Sequence, residues 1–172
     1  MKSPLVSLLI LLTAFYLTIT AILFFTQSYF IFFPQEISGN QHSFLKQFKS
    51  NEISLDHDGI SLHGWFIQNE TNPENPLIIY YGGNAEEVSM NLYDLDKFGD
   101  HSLLFMNYRG YGKSEGRPGQ DALFSDALFI FDHISKKYHI PPEKIILKGR
   151  SLGSAVAIHV AGQRKVKAVL LV

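Results

Sequence analysis

The chain has 172 residues, enough for one domain and an appendage. It contains no cysteine, which excludes disulfides, thiol chemistry and sulfur-ligated zinc. A formal net charge of -1 gives no whole-chain attraction to nucleic acid, and no nucleic-acid partner is expected.

From Lys2 to Glu36 no residue between them is charged. The stretch 5–25 reads LVSLLILLTAFYLTITAILFF, and YFIFF follows at 29–33. About 20 apolar residues suffice to cross a bilayer as a helix. Serine and threonine in the run can bond to their own helix backbone, Tyr29 and the phenylalanines suit an interface, and Pro34 ends the helix. A cleaved signal peptide is the competing reading. It has a shorter apolar core followed by small residues, whereas bulky aromatics follow here. Residues 1–34 are therefore expected to form a single-pass membrane anchor and 35–50 a juxtamembrane connector. Lys2 and the amino terminus precede the span, while Lys46 and Lys49 lie beyond it. The positive-inside rule discriminates weakly here, and the reading places the soluble part on the extracytoplasmic side.

Residues 51–172 read as one domain. Ile53 and Leu55 alternate in a short strand over 52–56, Asp58-Gly59 marks a hairpin, and 60–68 alternates again. Asn69 to Pro76 is a loop, because Pro73 and Pro76 disfavour a strand. It contains Asn69-Glu70-Thr71, a glycosylation acceptor pattern that matters only in a eukaryotic secretory setting. Strand 77–81 ends in Gly82-Gly83, a helix is expected over 86–98, and 102–106 is a strand. Residues 107–119 form a glycine-rich loop. Leu123, Ala127, Ile130, Phe131 and Ile134 make one stripe of a helix over 121–137, with Asp121 at its start and Lys136 and Lys137 at its end. A strand at 145–147, a helix over 151–161 and an apolar run over 166–172 complete the chain. Alternating strands and helices imply an α/β fold: a mostly parallel sheet with helices on both faces and an antiparallel hairpin at its edge.

Gly149-Arg150-Ser151-Leu152-Gly153 fits G-x-S-x-G between an apolar strand and a helix beginning Ser154-Ala155-Val156-Ala157. That context presents a serine hydroxyl on a sharp strand-to-helix turn, and the glycines relieve crowding around it. The helix N-terminus directs backbone donors towards developing negative charge, so the Leu152 N–H is a candidate oxyanion donor. The second donor should come from the loop Gly82-Gly83-Asn84-Ala85, and is assigned to the Asn84 N–H rather than its side chain, with the Ala85 N–H as the neighbouring alternative. Two other patterns fail. Arg109-Gly-Tyr-Gly-Lys-Ser114 has Asn107 where a phosphate-binding loop needs glycine, and Gly110 and Gly112 are followed by Glu115 where a dinucleotide fingerprint needs its third glycine. Arg109 is either a hydrogen-bonding anchor of its loop or a solvated charge. Asp126 is assigned to the second helix rather than to an acid role. The histidines, among them His57, His133 and His159, lack metal-ligand spacing, so neither metal nor cofactor is expected.

On Tyr80-Tyr-Gly-Gly-Asn-Ala85, Asn107-Tyr-Arg-Gly-Tyr-Gly-Lys-Ser-Glu-Gly-Arg-Pro118 and Gly149-Arg-Ser-Leu-Gly153, residues 50–172 resemble the α/β-hydrolase superfamily. The similarity points to its membrane-anchored, Bem46-like and serine aminopeptidase-like members. The resemblance aligns Ser151 with the nucleophile and Asn84 and Leu152 with the oxyanion positions. Gly82 stands where such proteins commonly have histidine. It implies attack on an ester, thioester or amide carbonyl of a small-molecule or peptide-like substrate through an acyl-enzyme.

In that fold an acid and then a histidine follow the serine in chain order. After Ser151 the sequence has no Asp or Glu, and His159 falls inside the elbow helix. The expectation is a partial, C-terminally truncated α/β-hydrolase fold with little turnover. Strand 166–172 is then an open sheet edge inviting self-association. The alternative function is a non-catalytic, membrane-anchored binding or scaffolding fragment.

Overall fold

The computed structural model describes residues 3–72 and 74–172, so the expectations resting on Lys2 and Pro73 lie outside the described residues. The chain divides into two compact units, Met1–Phe33 and Pro34–Val172.

The first unit is helix α1, Pro4–Ile31. Ser3 caps it, its side chain accepting from the Val6 N–H, and Pro4 occupies the first turn, where a missing N–H costs nothing. The hydroxyls of Thr18 and Thr26 donate to the carbonyls of Ala14 and Ile22 at 2.8 and 2.7 Å. No polar group in these two side chains is left for lipid to solvate. The helix runs six residues past the apolar core read at 5–25 and stops at Phe32, which is extended. Phe33 precedes proline and is thereby disfavoured from helix, so the break falls before Pro34 rather than at it. At 28 residues the helix is long and apolar enough to cross a membrane.

The second unit begins with a segment that is more ordered than a plain connector. Helix α2 spans Gln41–Leu45, and a 3₁₀ helix follows over Lys46–Asn51. Phe44, Leu45 and Phe48 pack against the core, which fixes the segment's path and gives it regular structure. Strands β1 (Glu52–His57) and β2 (Ile60–Ile67) form the expected hairpin. Asp58 and Gly59 have φ of 54 and 74°, the left-handed pair that a two-residue hairpin turn needs. Then come β3 (Leu77–Tyr81), β4 (Ser102–Met106), α3 (Gln120–Lys137), β5 (Ile145–Gly149), α4 (Leu152–Ala161) and β6 (Ala168–Leu171).

One sheet holds all six strands in the order β1-β2-β4-β3-β5-β6. β2 is antiparallel to β1 and β4; β3 is parallel to β4 and β5, and β5 to β6. Alternation over 60–67 suggested one buried face for β2. Instead Leu62, His63, Trp65 and Phe66 are all buried, because β2 lies inside the sheet with packing on both sides. Gly64 is required there: a Cβ would fall 2.1 Å from the Phe105 carbonyl oxygen.

Parallel crossovers are right-handed. The chain moves one way from β3 to β4 and the other way from β4 to β5 and β6. The β3–β4 connection therefore covers one face, and α3 with α4 covers the other. On the first face Trp65, Ile78, Tyr80, Val88, Leu92, Phe98, Leu103 and Phe105 form a common cluster. The connection there is not the α-helix expected over 86–98. It is a 3₁₀ segment, Val88–Phe98, kinked at Asp94. The buried Glu87 carboxylate caps its start by accepting from the Ser89 N–H, so Glu86 and Glu87 stay outside it. Strand β6 stands last in the strand order, with Leu170 and Leu171 46% and 51% exposed.

Candidate active site

The reversal of direction on either side of β3 makes a switch point in the strand order. In open α/β sheets, ligands bind outside the carboxyl ends of the strands at such a point. Here that crevice lies between the loop after β3, Gly82–Ala85, and the turn after β5, which carries Ser151.

Ser151 adopts φ 50 and ψ −115°, outside the regions open to an L-residue, at a cost of order 1–3 kcal/mol. A net of backbone bonds holds it there. The Arg150 N–H donates to the Tyr81 carbonyl at 3.0 Å and the Ser151 N–H to the Val172 carbonyl at 2.9 Å. The Gly153 N–H returns to the Arg150 carbonyl at 2.8 Å, and the Ser154 hydroxyl donates to the Gly149 carbonyl at 3.1 Å. The two motif glycines allow this closeness. A Cβ on Gly149 would lie 2.4 Å from the Gly153 carbonyl oxygen, and one on Gly153 2.1 Å from that of Tyr81. The Ser151 side chain is left exposed, and among the described residues it caps nothing.

Leu152 is the first residue of α4. Across the crevice, a Cβ on Gly83 would come 3.9 Å from the Ser151 Cβ, so the glycine loop passes directly beside the serine. Asn84 follows on that loop, and its side-chain oxygen accepts from the Tyr111 hydroxyl at 3.1 Å. The three sequence-predicted residues thus belong to the two elements flanking one crevice. Arg109 and Asp126 go elsewhere. The Arg109 guanidinium grips the buried Asp126 carboxylate through two bonds of 2.6 and 2.7 Å, and His57 Nδ1 lies 2.6 Å from the same carboxylate. Arg109 does anchor its loop, onto α3.

Sequence reasoning missed the groups that hold the glycine loop. Glu86 accepts from the Gly83 N–H at 2.7 Å, the Tyr80 hydroxyl at 2.9 Å and the Asn91 amide at 2.7 Å. Its carboxylate also faces the Arg150 guanidinium at 3.2 Å, which ties the loop to the residue before the serine. Burial, and then the Glu86 charge, push the Tyr80 hydroxyl well above its ordinary pKa, so it stays a neutral donor. Tyr108 donates to the Gly82 carbonyl at 2.9 Å. Asn107 joins the loops after β3 and β4 by donating to Glu87 at 2.8 Å and accepting from the Val88 N–H at 3.1 Å. Asn107 and Tyr108 stand in a quoted motif, but Glu86 carries no spacing signal, since its partners converge only on folding.

A second polar cluster sits at the start of β1. Burial alone would raise the Glu52 pKa, but bonds from Lys113, Lys49 and His63 outweigh it and hold the carboxyl at about 2. Burial pushes His63 down, so its neutral ring donates from Nε2 to Glu52 at 2.6 Å. A carboxylate with a lowered folded pKa stabilises fully above its unfolded value, about 4.3, and that stabilisation fades as pH falls through the folded one. In denaturant titrations, the stability difference between the wild-type chain and Glu52→Gln should be largest above about pH 5, shrink as pH falls towards 2 and vanish only below it.

The sheet order, the two crossover faces and the serine turn define an α/β-hydrolase fold. No family model matches the chain. It is 36% identical over 103 residues to the α/β hydrolase domain-containing protein WAV2 of Arabidopsis thaliana, covering 58% of this chain and 33% of that one. It is 35% identical over 114 residues to an uncharacterised membrane protein of Saccharomyces cerevisiae, covering 64% and 39%. The crystal structure of an α/β hydrolase from Vibrio vulnificus superposes with a TM-score of 0.66 at 20% identity, over 78% of this chain and 50% of that one. The chain thus spans well under half the length of these two curated relatives.

Proposed function

We propose that Ser151 is the nucleophile position of a membrane-anchored serine hydrolase acting on an ester, thioester or amide carbonyl. The observation that carries this reading is the strained, exposed Ser151 backbone at the carboxyl-end switch point. Folding free energy is spent there on presenting one hydroxyl, and such strain clusters at functional sites. In the reaction, Ser151 Oγ bonds to the carbonyl carbon while its proton passes to a base. The oxygen takes the negative charge between the Leu152 and Asn84 N–H groups. Collapse re-forms the carbonyl and expels the alcohol, thiol or amine, which takes up the proton. Water then cleaves the acyl-serine by the same steps.

Among the described residues no Asp, Glu or His side chain bonds to the Ser151 hydroxyl, and our reading takes the base to be missing from these 172 residues. Loss of base activation costs about 10⁴–10⁶ in kcat, while binding and the oxyanion donors retain a residual rate. The detergent-solubilised chain should therefore hydrolyse p-nitrophenyl esters negligibly. It should react slowly with an alkyl fluorophosphonate, and Ser151→Ala should abolish that labelling. Labelling unchanged in Ser151→Ala would remove the nucleophile assignment; rapid turnover by the wild-type chain would remove the inactivity.

A second reading is a non-catalytic membrane-anchored binding or scaffolding role, favoured by the half-exposed leucines of β6. Its apolar, charge-free strand could pair with a second copy. We also place the soluble unit on the extracytoplasmic side, on the weak charge bias flanking the span.

A further inference from the structure

The path of the chain after the apolar helix bears on where the site works. The Gln35 carbonyl accepts the Gly112 N–H at 2.8 Å. Gly112 is rigidly set: its φ is +56°, and a Cβ there would fall 2.3 Å from Asn107 Nδ2. It sits in the connection leaving the carboxyl end of β4, next to Tyr111, whose hydroxyl reaches Asn84 in the glycine loop. The segment that follows is also fastened. Gln41, only 7% exposed, bonds the Ser38 N–H and reaches Met90, and the Phe44 ring stacks on Tyr93 at 3.6 Å.

Helix α1 ends at Ile31. Four residues of extended chain reach at most about 14 Å. Gln35, whose carbonyl holds the Gly112 connection, is the fourth residue after the helix end. Met90 and Tyr93, beside the fastened segment, leave about half of their apolar side chains exposed. Lys46, Lys49 and Lys113 outnumber Glu52 around the small cleft at the start of β1, a charge excess suited to anionic headgroups.

We propose that the carboxyl end of the sheet, with Ser151 and the Gly82–Ala85 loop, docks on the surface of the bilayer that α1 enters. The short Gln35 tether holds it there, so that the site draws its acyl donor from an amphiphile resident in that surface. The docking stands by itself; the acyl donor rests on the hydrolase reading.

The absence of cysteine allows single-site labelling of the full chain. Ser151→Cys, Met90→Cys and Glu143→Cys, each carrying bimane, are reconstituted in phosphatidylcholine–phosphatidylserine vesicles containing headgroup-nitroxide lipid. Glu143 lies in the short turn before β5, at the opposite end of the strands. Quenching at 151 and 90 should exceed that at 143 several-fold. A ten-residue Gly/Ser insertion between Phe33 and Pro34 should bring 151 down to the level of 143. Quenching at 151 and 90 equal to or below that at 143 overturns the docking, and quenching unmoved by the insertion overturns the tether. Met90 gives the same reading without touching the serine turn. For the acyl donor, a membrane-partitioning alkyl fluorophosphonate should label Ser151 in vesicles at least tenfold faster than a water-soluble one of equal reactivity. Equal rates overturn the amphiphile. Labelling by neither probe removes the hydrolase reading and leaves the quenching result standing.

Discussion

Gly153→Val is expected to unfold the chain or to lower its stability by about 3 kcal/mol or more. The Cβ alone would sit 2.1 Å from the Tyr81 carbonyl oxygen and 2.7 Å from that of Gly82. Both contacts are with backbone, at the end of a strand bonded on both sides, so no side chain can swing away. Relief requires moving the first turn of α4 off β3, which breaks the Arg150–Tyr81 bond and the turn that strains Ser151. A loss of that size is a large part of the 5–15 kcal/mol typical of a domain. The single tryptophan, Trp65, is 1% exposed in the core, so its fluorescence during denaturant titration in detergent reports the transition. Gly39→Ala is the control, because a Cβ there meets nothing within 4 Å, and its midpoint should barely move. A Gly153→Val chain with a wild-type midpoint would show that the elbow is not packed as described.

Asp126→Ala should cost about 3 kcal/mol, the lower end for breaking a buried ion pair. Asp126 is 4% exposed and accepts two bonds from Arg109 and one contact from His57, whose ring stacks on Phe129 at 4.3 Å. Truncation removes the carboxylate that both guanidinium bonds share and loosens the loop between β4 and α3 from the helix. Arg109 keeps some contact with water, which limits the loss. Asp126→Asn should lose less, since one carbonyl oxygen remains. A double-mutant cycle with Arg109→Ala, read by the same Trp65 transition, should show strong coupling. Additive effects would mean that the pair stabilises nothing beyond its separate parts.

The legible features were those with a short-range physical signature. The apolar run gives α1 because a charge-free stretch of that length has few other homes. Asp58-Gly59 gives the hairpin because two successive left-handed residues are cheapest there. The strands 77–81 and 102–106 were read to the residue, since short apolar runs between turn signals leave little freedom. The serine turn was visible because Gly149 and Gly153 bracket Ser151 at the spacing such a turn requires.

Other features became visible only on folding. Residues 86–98 look helical by spacing, yet the buried Glu87 serves as a cap, and the start of the segment is bonded through Asn107 to the loop after β4. Residues 35–50 look like a linker, yet Phe44, Leu45 and Phe48 find the core. The role of Glu86 is equally hidden, because Gly83, Tyr80, Asn91 and Arg150 come from four different places in the strand and helix order. Local sequence determined which residues turn, span or alternate, since those preferences act over a few residues. Which residues converge at Ser151 was decided by the order of strands around β3 and the hand of their crossovers, which bring together groups up to 70 positions apart in the chain (Gly83 and Arg150 among them) without any mark in the local pattern.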